Sequence, residues 1–296
     1  MKPIELGRMR IHKVHEMDSP TPMLMNLPGV QADDIRRMQA WYDATDEIHP
    51  EPEQCKMTFA VHSWVIEIDG KVILVDSCDG NHKNRSLPEV HQLDTDYLGN
   101  LARAGFRPED IDMVMCTHLH FDHVGWNTRL ENGKWVPTFA NARYIFGRRD
   151  YDYFKANPEG EALHVEAFQD SIRPVMEAGK GEIVEEDFCA HLEVGNGVWL
   201  EPAFGHSPGC CTVNAQADGP PALFWGDVIH HPIQMIRFDL PFAFDADGPM
   251  ASKVRQDTMA RAADEDILCF PAHFRRTSAG RVQRDGDVFR YEWVAG

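Results

Sequence analysis

Four side chains able to bind a metal fall within six residues of this chain, in Thr117-His118-Leu119-His120-Phe121-Asp122-His123. Imidazole nitrogen and carboxylate oxygen suit zinc and neighbouring first-row divalent metals. On an extended strand end, residues 118, 120 and 122 would point to one side, because side chains alternate with period two. A turn at 122–123 would then return His123 to the same centre. Four ligands are too many for one tetrahedral ion that keeps an open position. Two adjacent ions remove the conflict, with His118 and His120 on the first and Asp122 and His123 on the second.

That division demands more ligands downstream. Gly205-His206-Ser207-Pro208-Gly209 follows an apolar run ending at Phe204, Gly226-Asp227 follows Phe224-Trp225, and Pro271-Ala272-His273 ends a run starting at Ile267. The order fits His206 as third ligand of the first ion, Asp227 as a bridging carboxylate and His273 as third ligand of the second. The glycines and proline around Ser207 shape a turn that aims His206. Ser207 is therefore not read as a nucleophile.

These residues resemble the HxHxDH signature of the metallo-β-lactamase-fold superfamily. Asp76 in Leu74-Val75-Asp76-Ser77-Cys78, His206, Asp227 and His273 match its remaining motifs in order, over residues 58 to 275. The resemblance implies an α+β fold, a four-layer αββα sandwich with the metals at the edge between the sheets. Class B1 lactamases differ in having cysteine where Asp227 stands, and flavodiiron proteins have glutamate at the place of His120. Val124-Gly125-Trp126-Asn127 is unlike the glycine-rich text of glyoxalase II and persulfide dioxygenases. His62-Ser63-Trp64-Val65, Asp76-Ser77-Cys78 with Gly80-Asn81-His82-Lys83, and Gly226-Asp227-Val228-Ile229-His230 are similar to the lactonase and methyl-parathion-hydrolase-like branch.

What that resemblance implies is a hydrolase with two divalent ions, Zn2+ first and Mn2+ or Fe2+ as alternatives. A metal-bridging hydroxide would attack a lactone or other carboxylic ester. A phosphotriester hydrolase with the same site is the second reading. A mononuclear iron oxidase of a thiol or persulfide, or a non-catalytic metal-binding protein, stands behind both. Asp122, Asp227 and His230 are the residues expected to take part in catalysis, and Asp76 is expected to orient a ligating histidine from behind. Trp64, Trp126 and Phe274 are expected to line a substrate pocket. Quorum-signal lactonases often carry tyrosine at the place of His230, and His231 next door competes for the role.

The elements that must position these residues are legible from residue 58 onward. Two apolar runs over 59–68 and 71–76 meet at Asp69-Gly70, a strong hairpin signal. Strands are expected over 111–116, 144–146, 198–204, 211–216, 222–229 and 267–272, and a hairpin over 281–294 turning at Asp285-Gly286. Helices are expected over 33–42, 93–104, 148–156, 162–177 and 252–263. Residues 1–55 read as the least regular part, an N-terminal extension serving as a lid or a homodimer contact. Residues 56–296 read as the metallo-hydrolase domain.

Composition narrows the partners. The chain of 296 residues carries 47 acidic and 29 basic residues, a net charge of −18. Such a field repels phosphate backbones and argues against nucleic acid. A small-molecule substrate is expected. No run of about 18 apolar residues occurs, so no membrane span is expected. Residues 1–8 lack an apolar signal core, which points to a cytoplasmic location. Seven cysteines without a CxxC pair suggest reduced, buried thiols.

Overall fold

The structure, a computed structural model, describes residues 2–42, 47–49, 51–193 and 196–294. The stretch expected to be irregular contains β1 (Ile4–Leu6) and the long β2 (Met9–Pro22), which pairs antiparallel with β3 (Lys56–Ile68) from Arg10↔Glu67 to Pro22↔Lys56. Two features conceal β2 in the sequence. A register shift between His15 and Met17 breaks its alternation, and Pro20 and Pro22 read as breakers. Beyond Ile11, β2 has a strand partner on one side only among the described residues, and an edge position tolerates the missing proline N–H.

The chain leaves the sheet between β2 and β3 through α1 (Met23–Asn26) and α2 (Ala32–Gln39). Met23, Leu27, Ile35 and Met38 bury themselves there with Ile233, Ile236 and Phe242. β4 (Lys71–Val75) completes the expected hairpin with β3. There follow α3 (Tyr97–Arg103), β5 (Met113–Met115), α4 (Phe121–Val124), and the small hairpin of β6 (Thr128–Glu131) and β7 (Lys134–Pro137). Then come β8 (Arg143–Gly147), α5 (Arg148–Ala156), α6 (Ala162–Ala167), α7 (Arg173–Glu177) and β9 (Gly181–Val184). The single helix expected over 162–177 is interrupted by a π-helical turn at Phe168–Ile172. Pro174 falls in the first turn of α7, where its missing N–H costs nothing.

The second sheet contains β10 (Cys189–Glu193), β11 (Asn196–Pro202), β12 (Cys211–Gln216), β13 (Ala222–Phe224), β14 (Leu268–Cys269), β15 (Gly280–Asp285) and β16 (Val288–Trp293). Helix α8 (Gly248–Asp264) crosses between β13 and β14, which run parallel. The first sheet has the order β1-β2-β3-β4-β5-β8-β9, and the second runs β10 to β16 in sequence.

Packing makes four layers, an α+β αββα sandwich as the resemblance implied. Ile11, Trp64, Ile66, Ile73, Met115 and Ile145 of the first sheet meet Val198, Leu200, Val213, Phe224 and Phe270 of the second. On the outer face of the first sheet, Val65, Leu74, Val114 and Tyr144 bury against Tyr97, Leu101 and Phe154 of the helices. Leu223, Cys269 and Val282 bury against Met259 and Ala262 of α8 on the far side. Each fully buried side chain of this size contributes roughly 1.5–3 kcal/mol. Among the described residues no helix is long and apolar enough to cross a membrane, and no disulfide joins the cysteines.

One buried ion network ties the connections of the first sheet. Arg85 holds Asp170 through two nitrogens at 2.6 and 3.1 Å. Lys83, with a side chain 0% exposed, donates to Thr128 Oγ1 at 2.6 Å and lies over the Trp135 ring at 3.6 Å. Burial pulls the Lys83 ammonium down to about 7, against the opposing attraction of Asp170. Between that value and the ordinary lysine value near 10.4, the unfolded chain binds a proton that the folded chain has released. Stability from this group therefore rises with pH across the window, by at most about 1.4 kcal/mol per pH unit. Lys83→Met should remove that slope. Urea midpoints measured between about pH 7.5 and about pH 9.5 should rise with pH more steeply in the wild type than in the variant.

Candidate metal centre

The chemistry-bearing residues follow strand ends at one edge of the sandwich. Asp76 follows β4, His118 follows β5, Asp227 follows β13 and His273 follows β14. The HxHxDH segment does not form the extended end expected of it. Two carboxylates capture its backbone N–H groups instead: Asp76 Oδ1 accepts from Thr117 at 2.8 Å and Asp150 Oδ2 from Leu119 at 3.1 Å. The chain bends, and Asp122 and His123 reach the centre from the first turn of α4.

All seven expected ligand residues meet there. The ligand atoms of His118, His120 and His206 lie within 4.8 Å of one another, as do those of Asp122, His123, Asp227 and His273. Asp227 faces both groups. Its Oδ1 is 3.1 Å from His123 Nε2 and 2.9 Å from His273 Nε2. Its Oδ2 is 3.3 Å from His206 Nε2 and 3.9 Å from His118 Nε2. His206 Nε2 and His120 Nδ1 are 3.0 Å apart. The backbone reason is local: the strand expected over 222–229 stops at Phe224, and Gly226 turns it with φ +52°. A Cβ at Gly226 would lie 2.6 Å from Thr117 Oγ1.

Supporting groups fix the imidazoles. Asp76 stands where a carboxylate behind a histidine was expected, with Oδ2 2.9 Å from His123 Nδ1. It adopts φ +55°, a left-handed conformation that costs an L-residue roughly 1–2 kcal/mol. The loop after it docks on the ligand segment through Ser77 N to His123 O (2.8 Å) and Gly125 N to Cys78 O (2.7 Å). A Cβ at Gly125 would fall 1.8 Å from the Asp79 carbonyl oxygen, so only glycine fits this contact.

Several supports went unread in the sequence. Asp150 also accepts from Ser207 Oγ at 2.8 Å and Gly209 N at 2.6 Å, stitching the two ligand loops together. Asp245 lies 3.1 Å from His206 Nδ1, and the fully buried Arg255 approaches it at 3.4 Å while donating to Val228 O at 2.9 Å. His164 stacks on His120 with centroids 4.0 Å apart. No spacing marks these residues: Asp245 is 39 positions from His206.

The two neighbouring histidines separate. His230 Nε2 lies 3.1 Å from Asp227 Oδ2. His231 turns away: its Nδ1 accepts from Ile233 N, and its Nε2 faces Glu47 at 3.7 Å. The aromatic residues expected at the pocket are placed elsewhere. Trp64 sits in the core between the sheets, Trp126 stacks on Tyr97 and donates to Glu16 at 2.6 Å, and Phe274 packs with Trp225 and Tyr291. They are 2%, 4% and 1% exposed, because the core takes large apolar surface first. The cavity against the centre, about 260 Å³, is lined instead by His120, His206, Phe154, His164, Pro208 and Phe244, among others.

The electrostatics suit a cation. Burial and neighbouring histidines push His118 and His120 well below the usual histidine range, which keeps them neutral and able to ligate. Burial would also lower His123, but the Asp227, Asp122 and Asp76 carboxylates outweigh it and hold it well above. Burial opposes ionisation of Asp227, yet His123, His273 and His230 hold it well below the usual carboxylate range. His118 Nε2, His123 Nε2 and Asp227 Oδ1 are buried without hydrogen-bond partners. Each such atom costs about 1–3 kcal/mol if left alone. Divalent ions between these donors would satisfy them, so the residues fit the two-metal set.

Comparison with known proteins identifies the family and the fold. The family model described as the metallo-beta-lactamase superfamily matches residues 58–273, and the chain belongs to that superfamily. An N-acyl homoserine lactonase of Bacillus thuringiensis is 34% identical over 124 residues, 42% of this chain and 40% of the relative. The chain thus spans well under half the length of the lactonases it matches in this way. Two solved structures share the fold over the whole chain. A hydrolase of the beta lactamase superfamily, AbOPH, has a TM-score of 0.80 at 19% identity and covers 100% of this chain and 97% of its own. The dizinc quorum-quenching lactonase AidC, with a product bound, has a TM-score of 0.77 at 18% identity with the same coverage.

Removing the carboxylate behind a ligand should be felt at the ion. Asp245→Ala is expected to weaken metal binding by about 10–100-fold, with the fold retained by circular dichroism. Competition with a chromophoric chelator measures it.

Proposed function

We propose that this chain is a metal-dependent hydrolase acting on a lactone or other carboxylic ester. One observation carries the dinuclear reading: Asp227 turns Oδ1 to His123 and His273 and Oδ2 to His118 and His206. A carboxylate divided in this way could be shared by two ions. His118, His120 and His206 would hold one ion and Asp122, His123 and His273 the other, with Asp227 shared. Bound ions of this kind, Zn2+ first, supply Lewis acidity and lower the pKa of water from 15.7 to about 7.

The chain's own residues do the rest. Asp122 would accept a proton from the attacking water, and Asp227 would serve catalysis by holding the two ions together. His230, with Nε2 3.1 Å from Asp227 Oδ2, would give a proton or a hydrogen bond to an oxygen of the substrate. Phe154, Pro208 and Phe244 offer apolar surface to the substrate's non-reacting part. The exposed Glu161 at the cavity and the net charge of −18 favour a neutral substrate over an anion. The lactonase names among the relatives support the choice of ester chemistry. The excursion through α1 and α2 is proposed as the lid, since it packs on Phe242, which stacks on His230 at 3.8 Å.

His120→Ala and Asp227→Ala should each lose metal and at least about 100-fold in kcat/KM, a loss of roughly 2.7 kcal/mol in transition-state stabilisation. Metal analysis and a panel of N-acyl lactones, aryl esters and paraoxon-like triesters test the reading. An active, metal-free Asp227→Ala protein would refute it, and turnover of the triesters alone would move the substrate to phosphotriesters.

A further inference from the structure

The third group of ligand atoms within 4.8 Å of one another is His206, Asp227 and His230. It shares His206 and Asp227 with the groups already described. An imidazole nitrogen has one lone pair in the ring plane and binds one ion, so sharing His206 Nε2 rules out a separate third ion. The group instead offers the first ion another donor.

His230 is built as a ligand. Its side chain is 1% exposed, Nδ1 has no hydrogen-bond partner, and Nε2 faces the Asp227 carboxylate at 3.1 Å. A buried polar ring left in that state costs free energy unless something claims it. Its aim is fixed from three sides. Phe242 stacks on the ring with centroids 3.8 Å apart and planes at 18°. Phe59 meets it edge-on at 6.3 Å. Gln234, fully buried, accepts from the backbone N–H of His230 at 2.7 Å and of His231 at 3.2 Å. The aimed atom, Nε2, is 3.1 Å from Asp227 Oδ2, and His206 Nε2 is 3.3 Å from the same oxygen. Donors about 2.0–2.2 Å from one ion lie roughly 3–3.5 Å apart at adjacent positions. The separations of His230 and His206 from Asp227 Oδ2 fall in that range.

We infer that His230 is a fourth imidazole ligand of the first ion in the substrate-free protein, joining His118, His120, His206 and Asp227. The inference rests on the two-metal reading of the site. Five protein donors exceed the tetrahedral number that zinc prefers in protein sites. They suit an ion that takes five or six ligands, and they close the position a substrate oxygen would use. A substrate oxygen taking that position would require His230 Nε2 to leave the ion.

Loading the intact protein with two equivalents of Co2+ tests this without reference to activity. Each coordinated histidine that keeps a proton on its other nitrogen gives one solvent-exchangeable, hyperfine-shifted imidazole N–H signal in the proton NMR spectrum. Six such signals are expected, and His230→Phe, which keeps the stack on Phe242, should lose one. Chelator competition should show the first ion bound at least about tenfold more weakly in that variant, with the second unchanged. Five signals in the wild type, with both affinities untouched by His230→Phe, would overturn the inference and leave the two-metal reading standing. A wild-type protein that cannot take up two Co2+ ions would overturn both. If His230→Phe does not fold, the wild-type signal count decides alone.

Discussion

Asp227 sets one carboxylate oxygen against His123 and His273 and the other against His118, His206 and His230, so both ligand groups meet through one side chain. At 4% exposure this carboxylate has lost nearly all its water. Desolvated charge is tolerable only with compensating charge and hydrogen bonds. The surrounding imidazoles supply part of that compensation and divalent ions would supply the remainder. The centre is therefore stable as a unit and unfavourable in pieces. That requirement explains why so much of the surrounding structure holds imidazoles in place.

The supports work through short, specific contacts. Asp76, Asp150 and Asp245 each accept from or face a ligand segment, and each also bonds to backbone or to another side chain. Arg255 reaches both the carbonyl of Val228, beside the bridging residue, and Asp245, behind His206. A displacement at one ligand is thereby resisted at another. The glycines at 125 and 226 serve the same end by letting backbone approach backbone or a threonine side chain more closely than any Cβ permits.

The N-terminal stretch belongs to the site as well as to the sheet. β2 continues the first sheet past β3, and the excursion that follows buries methionines and aliphatic side chains against Phe242. Phe59 at the start of β3 meets both His230 and His273 edge-on. Glu47 joins Tyr42, His231 and Arg275 in one buried cluster, so the segment before β3 is tied to the loops on either side of the centre. One wall of the centre is thus built from residues that carry no metal-binding signal.

By itself the sequence picked out the candidate metal donors and their order along the chain. Donor chemistry is a local property, and the downstream His-Asp-His order follows strand ends that hydrophobic runs reveal; the period-two geometry expected of residues 118–122 was replaced by a bend and the first turn of α4. The hairpin at Asp69-Gly70 was legible for the same reason. Only the tertiary structure decided what stands behind the ligands and what lines the cavity. Asp245 and Asp150 meet His206 and Leu119 through space, and no spacing encodes a contact between residues 30 to 40 positions apart. Trp64, Trp126 and Phe274 looked like pocket residues because aromatic type alone does not reveal which face of a strand or turn is buried. β2 stayed hidden because a register shift and two edge prolines erase the alternation that identifies a strand. His230 and His231 are indistinguishable as text; the turn closed by Gln234 sends one ring to Asp227 and the other to Glu47.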